Sequence, residues 1–156
     1  MMTDQRLLLA DTMVVVWYVL DPGRLTNVAT SAMESQTASN YPISTSAYSV
    51  VELVYMTEKP NNGISPEEFS AVMEVLDDPD GPFVVVPVDH GIAATVKSIP
   101  RHFKGEDGTT ITNADPGDRV IAATAVKHGL SVVTSDSKIH GLSAVLGDLD
   151  VVWGAA

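Results

Sequence analysis

The chain has no cysteine, and no apolar run longer than the stretch from Met13 to Leu20. The first absence removes disulfides and thiolate metal sites, leaves oxygen and imidazole as metal donors, and fits a reducing compartment. The second excludes a membrane-spanning helix, which needs roughly 20 apolar residues. The head of the chain, residues 1–6, also leads into too short an apolar run for a signal peptide. A cytoplasmic location is therefore expected. Bases are scarce as well: nine Lys and Arg face 20 Asp and Glu, for a net charge of −11, which disfavours binding of nucleic acid by bulk charge. Against these absences stand 156 residues, 45% of them hydrophobic, enough for one domain with a real core over residues 1–156.

The charge is unevenly spread. Between Lys97 and His140 lie six bases, five acids and three of the four histidines, a balance of +1; the rest of the chain carries three bases and fifteen acids. That pattern describes either a polyanion-approach surface at one end of an acidic protein or a scatter of solvated charges.

Residues 115–136 organise the rest of the chain. Asp115 reads as a helix cap, Pro116 as the first helical residue and Gly129 as the stop behind Lys127 and His128, which predicts a helix over 116–128. The β-branched run that follows has no room for a hairpin before it, and reads as a buried parallel strand ending in Thr134-Ser135-Asp136. Ligands bind beyond the carboxyl ends of such strands, so Asp136 is placed where chemistry happens.

From the start of the chain, a first strand is expected over 6–10, with Asp11 at its end. Met13 to Leu20 suits a strand by its valines and a buried helix by its continuous apolar character; since Asp11 already marks a strand end, a helix from Thr12 is preferred. Asp21-Pro22-Gly23 punctuates, and Val28, Ala32 and Met33 follow at helical spacing. The Ser/Thr-rich stretch 26–49 stays inside the domain because it keeps periodic apolar positions and a short strand-like segment over 41–44. Residues 46–56 read as a helix with Val50, Leu53 and Val54 on one face and Ser49 and Glu52 on another. Ser65-Pro66-Glu67-Glu68 opens a further helix, hairpinned to the previous one through Pro60-Asn61-Asn62-Gly63. A strand over 83–88, a short helix from Asp89 to Pro100, a polar loop over 105–113 and a last strand over 150–153 complete the pass. The order of elements predicts an α/β fold, an α/β/α sandwich on a mostly parallel sheet.

Four acids then fall at one edge of that sheet: Asp11 after the first strand, Glu52 in a helix after the second, Asp118 in the first turn of the organising helix, and Asp136. Ionised carboxylates that converge repel one another unless a cation neutralises them, and an all-oxygen donor set favours Mg²⁺ or Mn²⁺ over zinc. Each acid also has a local use. Glu52 suits a capping box with Ser49, Asp118 one with Asp115, and Asp11 and Asp136 are natural N-caps; Thr12, Ser46, Ser49, Thr134 and Ser135 offer hydroxyls for the same purpose. Arg119, Lys138 and His140 are basic or imidazole neighbours of these acids in sequence, with a surface ion pair as the ordinary use of Arg119.

The segments Leu7-Leu8-Leu9-Ala10-Asp11-Thr12, Ser46-x-x-Ser49-x-x-Glu52-Leu53, Asp115-Pro116-Gly117-Asp118-Arg119-Val120-Ile121-Ala122-Ala123-Thr124-Ala125 and Val133-Thr134-Ser135-Asp136-Ser137-Lys138-Ile139 resemble the PIN-domain family, in the family's order and over nearly the whole chain. The closest resemblance is to its VapC-type toxin ribonucleases. It implies a PIN-like α/β/α domain whose acidic site, here Asp11, Glu52, Asp118 and Asp136, cleaves RNA with Mg²⁺ or Mn²⁺. Thr134, Arg119 and Lys138 are the weaker substrate-binding candidates beside it. The resemblance also implies a cognate antitoxin partner and a homodimer. Two departures bear on substrate preference rather than catalysis: Met13 stands where many relatives have histidine, and residues 104–113 look like extra loop. The competing readings are a metal-free PIN-like interaction module and a phosphoacceptor signalling domain. The latter fits less well because Asp11 is followed by Thr12 rather than by a second acid.

Overall fold

The computed structural model describes residues 6–105 and 107–154. The charged head of the chain before Arg6 and Glu106 of the polar loop lie outside them. Five short strands, β1 (Leu8–Ala10), β2 (Ile43–Ser46), β3 (Phe83–Val86), β6 (Ser131–Val133) and β7 (Asp150–Val152), form one sheet in the order β3-β2-β1-β6-β7. Every pairing in that sheet is parallel. The chain moves outward from β1 to β3 on one side and then crosses to β6 on the other. The strand order therefore reverses between β1 and β6, where a crevice opens at the carboxyl edge.

Side-chain alternation on the central strands builds two cores. Leu8, Ala10 and Val133 face one layer, made by α1 (Thr12–Leu20), α2 (Asn27–Ala38), α3 (Ala47–Thr57) and α4 (Pro66–Asp77). Leu9 and Val132 face the other, which includes Ile92 of α5 (His90–Thr95), Ile121 and Ala125 of α6 (Pro116–His128), and Ile139 and Leu142 of α7 (Ser137–Val145). A central strand buried on both faces needs no polar side, which is why β1 reads as a continuous apolar run and β6 departs from one only at Ser131, whose hydroxyl is bonded to Asp150.

The helix starts follow their caps. Ser65 and Glu68 form a reciprocal capping box at α4, and Asp115 and Asp118 form another at α6, which ends at Gly129 in the left-handed region, φ 64°. Asp11 caps α1, so the valine run coils rather than extends.

Several details differ from the sequence reading. On α2, Ala29 and Met33 are buried while Val28 is half-exposed. On α3 the buried line is Ser49, Leu53 and Met56, and Val54 points outward. β2 lies two residues later than expected: Ile43 N bonds Pro82 O and opens the ladder, and Pro42 has no N–H to offer. The polar loop is not all loop. Its last residues, β5 (Ile111–Asn113), pair antiparallel with β4 (His102–Lys104), and Asp107 Oδ1 accepts from Thr109 N and Thr110 N to close the turn. Phe103 anchors the hairpin on α7 at Gly141, where a Cβ would stand 2.6 Å from the Phe103 ring.

Candidate active site

At the carboxyl edge, where β1 and β6 diverge, a cleft of about 490 Å³ is lined by Asp11, Glu52, Asp118 and Asp136. Each comes from a different segment, and each is held by the local chemistry of its helix start or face. Asp11 Oδ1 accepts from Thr12 N at 2.8 Å, and its Oδ2 accepts from the Thr134 hydroxyl at 2.7 Å. Asp136 Oδ1 accepts from Lys138 N, 2.9 Å. Asp118 Oδ2 accepts from Asp115 N at 3.2 Å, while Asp118 N donates back to Asp115 Oδ1 at 2.9 Å.

Glu52 is reached through α3. The Thr12 hydroxyl lies 2.8 Å from both Ser49 Oγ and Glu52 Oε1. It has one proton, and an ionised carboxylate only accepts, so Thr12 donates to Glu52 and accepts from Ser49. Ser49 is therefore not a helix cap paired with Glu52. The cap of α3 is Ser46, and Ser49 sits buried inside the helix as the first link of a relay to the carboxylate.

The electrostatics mark the cleft as short of positive charge. Burial raises the carboxyl of Asp11 above its ordinary range, the Thr134 and Thr12 bonds pull it back, and repulsion from Asp136 and Asp115 adds to the rise. Glu52 is raised by burial and by the charges of Asp11, Asp115 and Asp136, against the bond from Thr12. Asp118 is pushed up to about 8 by burial, then by Asp136 and Asp115, and by a bond to Asp136 that only its protonated form can make. Among the described residues the cation paired nearby is Lys138, whose Nζ stands 3.7 Å from Asp115 Oδ2 on the rim.

An all-oxygen set of this kind suits a hard divalent cation, because each carboxylate has about four lone-pair positions and spends only one or two on the backbone or a hydroxyl. As the side chains stand, no group of three or more His, Asp or Glu among the described residues is set to hold a metal ion. The fit therefore rests on donor chemistry and mutual repulsion.

The weaker candidates fare differently. Thr134 is fully buried, and its hydroxyl accepts from Asp136 N and donates to Asp11, so it ties two of the acids together and has no surface to offer a substrate. Arg119 points away from the cleft's acids: its Nε donates to Ile99 O, and Nη2 to Ile99 O and Val96 O, closing the end of the short helical segment 90–98. Lys138 stays partly exposed on the rim. His140 Nε2 pairs with Thr134 O at 2.8 Å.

Sequence reasoning missed Tyr48, Tyr55, Lys59 and Asn62, which line the same cleft. Glu52 shares a helix face with residues four before it and three after, so projecting α3 from Glu52 finds Tyr48 and Tyr55, whereas Lys59 lies past the helix end at Thr57. Met13 also lines the cleft. Burial first, then Glu52, raises the Tyr48 phenol, which keeps its proton.

The model of the PIN domain family matches residues 8–144. Ribonuclease VapC22 of Mycobacterium tuberculosis (strain ATCC 25618 / H37Rv) is 28% identical over 131 residues, covering 84% of this chain and 88% of the relative. Among solved structures, VapBC2 from Rickettsia felis, bound to a DNA fragment from its promoter, superposes with a TM-score of 0.63 at 15% identity, over 93% of this chain and 96% of that one. DNA-bound VapBC from Salmonella typhimurium gives 0.62 at 20% identity, over 94% and 97%. At such identities the structural likeness speaks to the fold.

Proposed function

The chain belongs to the PIN-domain family, and from that premise we propose that it is a divalent-metal-dependent endoribonuclease, the toxin of a toxin–antitoxin pair. The observation that carries the reading is the set of four carboxylates, Asp11, Glu52, Asp118 and Asp136, drawn from four distant segments into one cleft at the strand-order reversal. The similarity to Ribonuclease VapC22 supports RNA as the substrate. The VapBC complexes among the structural neighbours support an antitoxin partner, and a homodimer is the assembly that goes with this reading. Among the described residues no helix is long and apolar enough to cross a membrane, in keeping with a cytoplasmic enzyme that meets cellular RNA.

Asp11, Asp118 and Asp136, with Glu52, would hold Mg²⁺ or Mn²⁺, which when bound supplies stabilisation of charge on the scissile phosphate and a more acidic water. The chain's own residues set the geometry. Thr134 fixes the Asp11 and Asp136 segments relative to each other. The Ser49 to Thr12 relay holds Glu52 with one oxygen engaged. The Asp115 capping box orients Asp118. Positioned groups of this kind lower the barrier by removing the reorganisation that free carboxylates would need.

The test is incubation of purified protein with a mixed cellular RNA pool in Mg²⁺ or Mn²⁺, beside EDTA controls and Asp11→Asn, Asp118→Asn and Asp136→Asn proteins. Cutting at few sites that needs metal and disappears in the variants is the expected result. Folded wild type and variants that behave alike would return the lead to a metal-free interaction module.

A further inference from the structure

The acidic centre occupies only part of the cleft. Tyr48, Glu52 and Tyr55 follow one another at steps of four and three residues on one face of α3, Lys59 follows just past the helix end at Thr57, and all four line the cleft. The Tyr48 ring is packed over α6, where a Cβ on Gly117 would stand 3.0 Å from its Cε1. Tyr55 is different. It is 61% exposed; Tyr41, at 56%, lies outside this cleft, and Trp17 pairs with Trp153 and Tyr18 with Phe83. Lys59 is also unusual, being one of only three bases outside the segment from Lys97 to His140.

The chain holds this end of the cleft in place. After α3 it folds back on itself: Ile64 N donates to Met56 O at 3.2 Å, and Gly63 approaches so closely that a Cβ there would stand 2.2 Å from that carbonyl. Asn62, in the left-handed region at φ 58°, lines the cleft from the same loop.

A cleft crowded with carboxylates repels the phosphates that flank the one being cut. A base presents a neutral face, so stacking on an aromatic ring draws in a nucleotide without adding to that repulsion, and a nearby lysine offsets its phosphate. We infer that Tyr55 and Lys59 form a platform for a nucleotide flanking the scissile bond, its base on the Tyr55 ring and its phosphate toward Lys59. The inference rests on the ribonuclease reading and makes it more specific: the flanking nucleotide must be unpaired, because inside a duplex both faces of a base are already covered.

The experiment measures binding of a fluorescent single-stranded oligoribonucleotide, and of the same sequence annealed to its complement, in Mg²⁺. The protein carries Asp118→Asn so that RNA is held uncut. Adding Tyr55→Ala is expected to weaken single-strand binding about tenfold, while Tyr55→Phe, which keeps the ring, stays within about twofold of its parent. Lys59→Ala is expected to weaken binding and to lower the salt slope by about one. Duplex binding is expected to be weaker and indifferent to Tyr55→Ala. In protein with Asp118 restored, Tyr55→Ala should raise KM and leave kcat within about threefold, the split expected of a group that binds substrate without joining the chemistry. Single-strand affinity and KM unchanged by Tyr55→Ala, in a protein that cuts RNA, would overturn the platform and assign this face to a protein partner. Wild type that cuts no RNA, with the single-strand preference and its Tyr55 dependence intact, would overturn the ribonuclease reading and keep the platform.

Discussion

Each end of the parallel sheet carries a depression, and the larger of the two is the less like a site. At the amino ends of β1, β6 and β7 a cavity of about 700 Å³ is lined by Arg6, Gln36, Ser131 and Asp150 among others. These four spend polar atoms on one another and on the backbone. Gln36 accepts from Leu8 N and donates to Pro42 O, both at 2.9 Å; Ser131 donates to Asp150 Oδ2 at 2.7 Å; Arg6 donates to Asp148 O at 2.9 Å. At the carboxyl ends the cleft is smaller, about 490 Å³, yet its carboxylates are left in mutual repulsion, with Asp118 pushed up to about 8. Volume reports where the chain did not fill space; unrelieved charge reports where it is waiting for something to bind.

The largest effects that can break this contrast are on cleavage. Asp11→Asn, Asp118→Asn and Asp136→Asn each remove a carboxyl group from the cleft, and each is expected to lower kcat by a factor of about 10² to 10³ or more. Ser131→Ala at the opposite edge is expected to leave kcat within about twofold. Comparable losses from the two edges would erase the distinction. Stability should divide the other way. Gln36→Ala strands the buried Leu8 N–H and should cost about 1–3 kcal/mol, read from urea unfolding, with cleavage by the remaining folded protein unchanged.

A smaller and more diagnostic effect is on pH. The folded-state pKa of Asp118, about 8, lies above its ordinary value of 3.8, so across that window the folded chain binds a proton that the unfolded chain has released. Its contribution is therefore fully present at low pH and is lost as pH rises toward 8. In EDTA, unfolding free energy should decline from pH 5 to pH 8 more steeply for wild type than for Asp118→Asn. Mn²⁺ must displace that proton, so its affinity should climb over the same range. A wild-type slope no steeper than the variant's would show that the cleft is not frustrated in the way its geometry indicates.

Much of this was legible in the sequence because caps and sites coincide in a parallel sheet. A strand that ends in Asp and runs into a helix places that Asp at the carboxyl edge and gives it a backbone N–H to hold, so Asp11 and Asp136 are N-caps and also line the cleft. Capping a helix and lining the cleft are not alternatives for these acids. Asp118 repeats the lesson as the partner in a capping box. What was not legible depends on contacts between distant segments. Nothing in residues 102–113 announces that the polar stretch returns as β5, because its pairing with β4 and its anchor on Gly141 are set by packing of Phe103. The outward turn of Val54 and the burial of Ser49 follow from where α3 meets α1 and α6, which periodicity within one helix does not define. Tyr55 is within reach of the helical spacing from Glu52 once the cleft is known to continue along α3, but Lys59 lies past the helix end and is brought in by the loop.

Arg119 offers the finest test of the comparison, because its sequence position beside Asp118 argued for a phosphate contact and its structure argues for a fold contact. Its guanidinium caps the carbonyls of Val96 and Ile99, three donations at 2.9 to 3.0 Å that a lysine ammonium cannot reproduce in the same plane. Arg119→Lys keeps the charge and loses the fork. If the residue serves the fold, the substitution costs about 1 kcal/mol of stability and leaves RNA affinity and its salt slope at the wild-type values. If it served RNA, Arg119→Lys would hold the salt slope while Arg119→Gln lowered it by about one, and neither would shift the urea midpoint much. Measuring both quantities on both variants separates a charge that belongs to the cleft from one that only neighbours it in sequence.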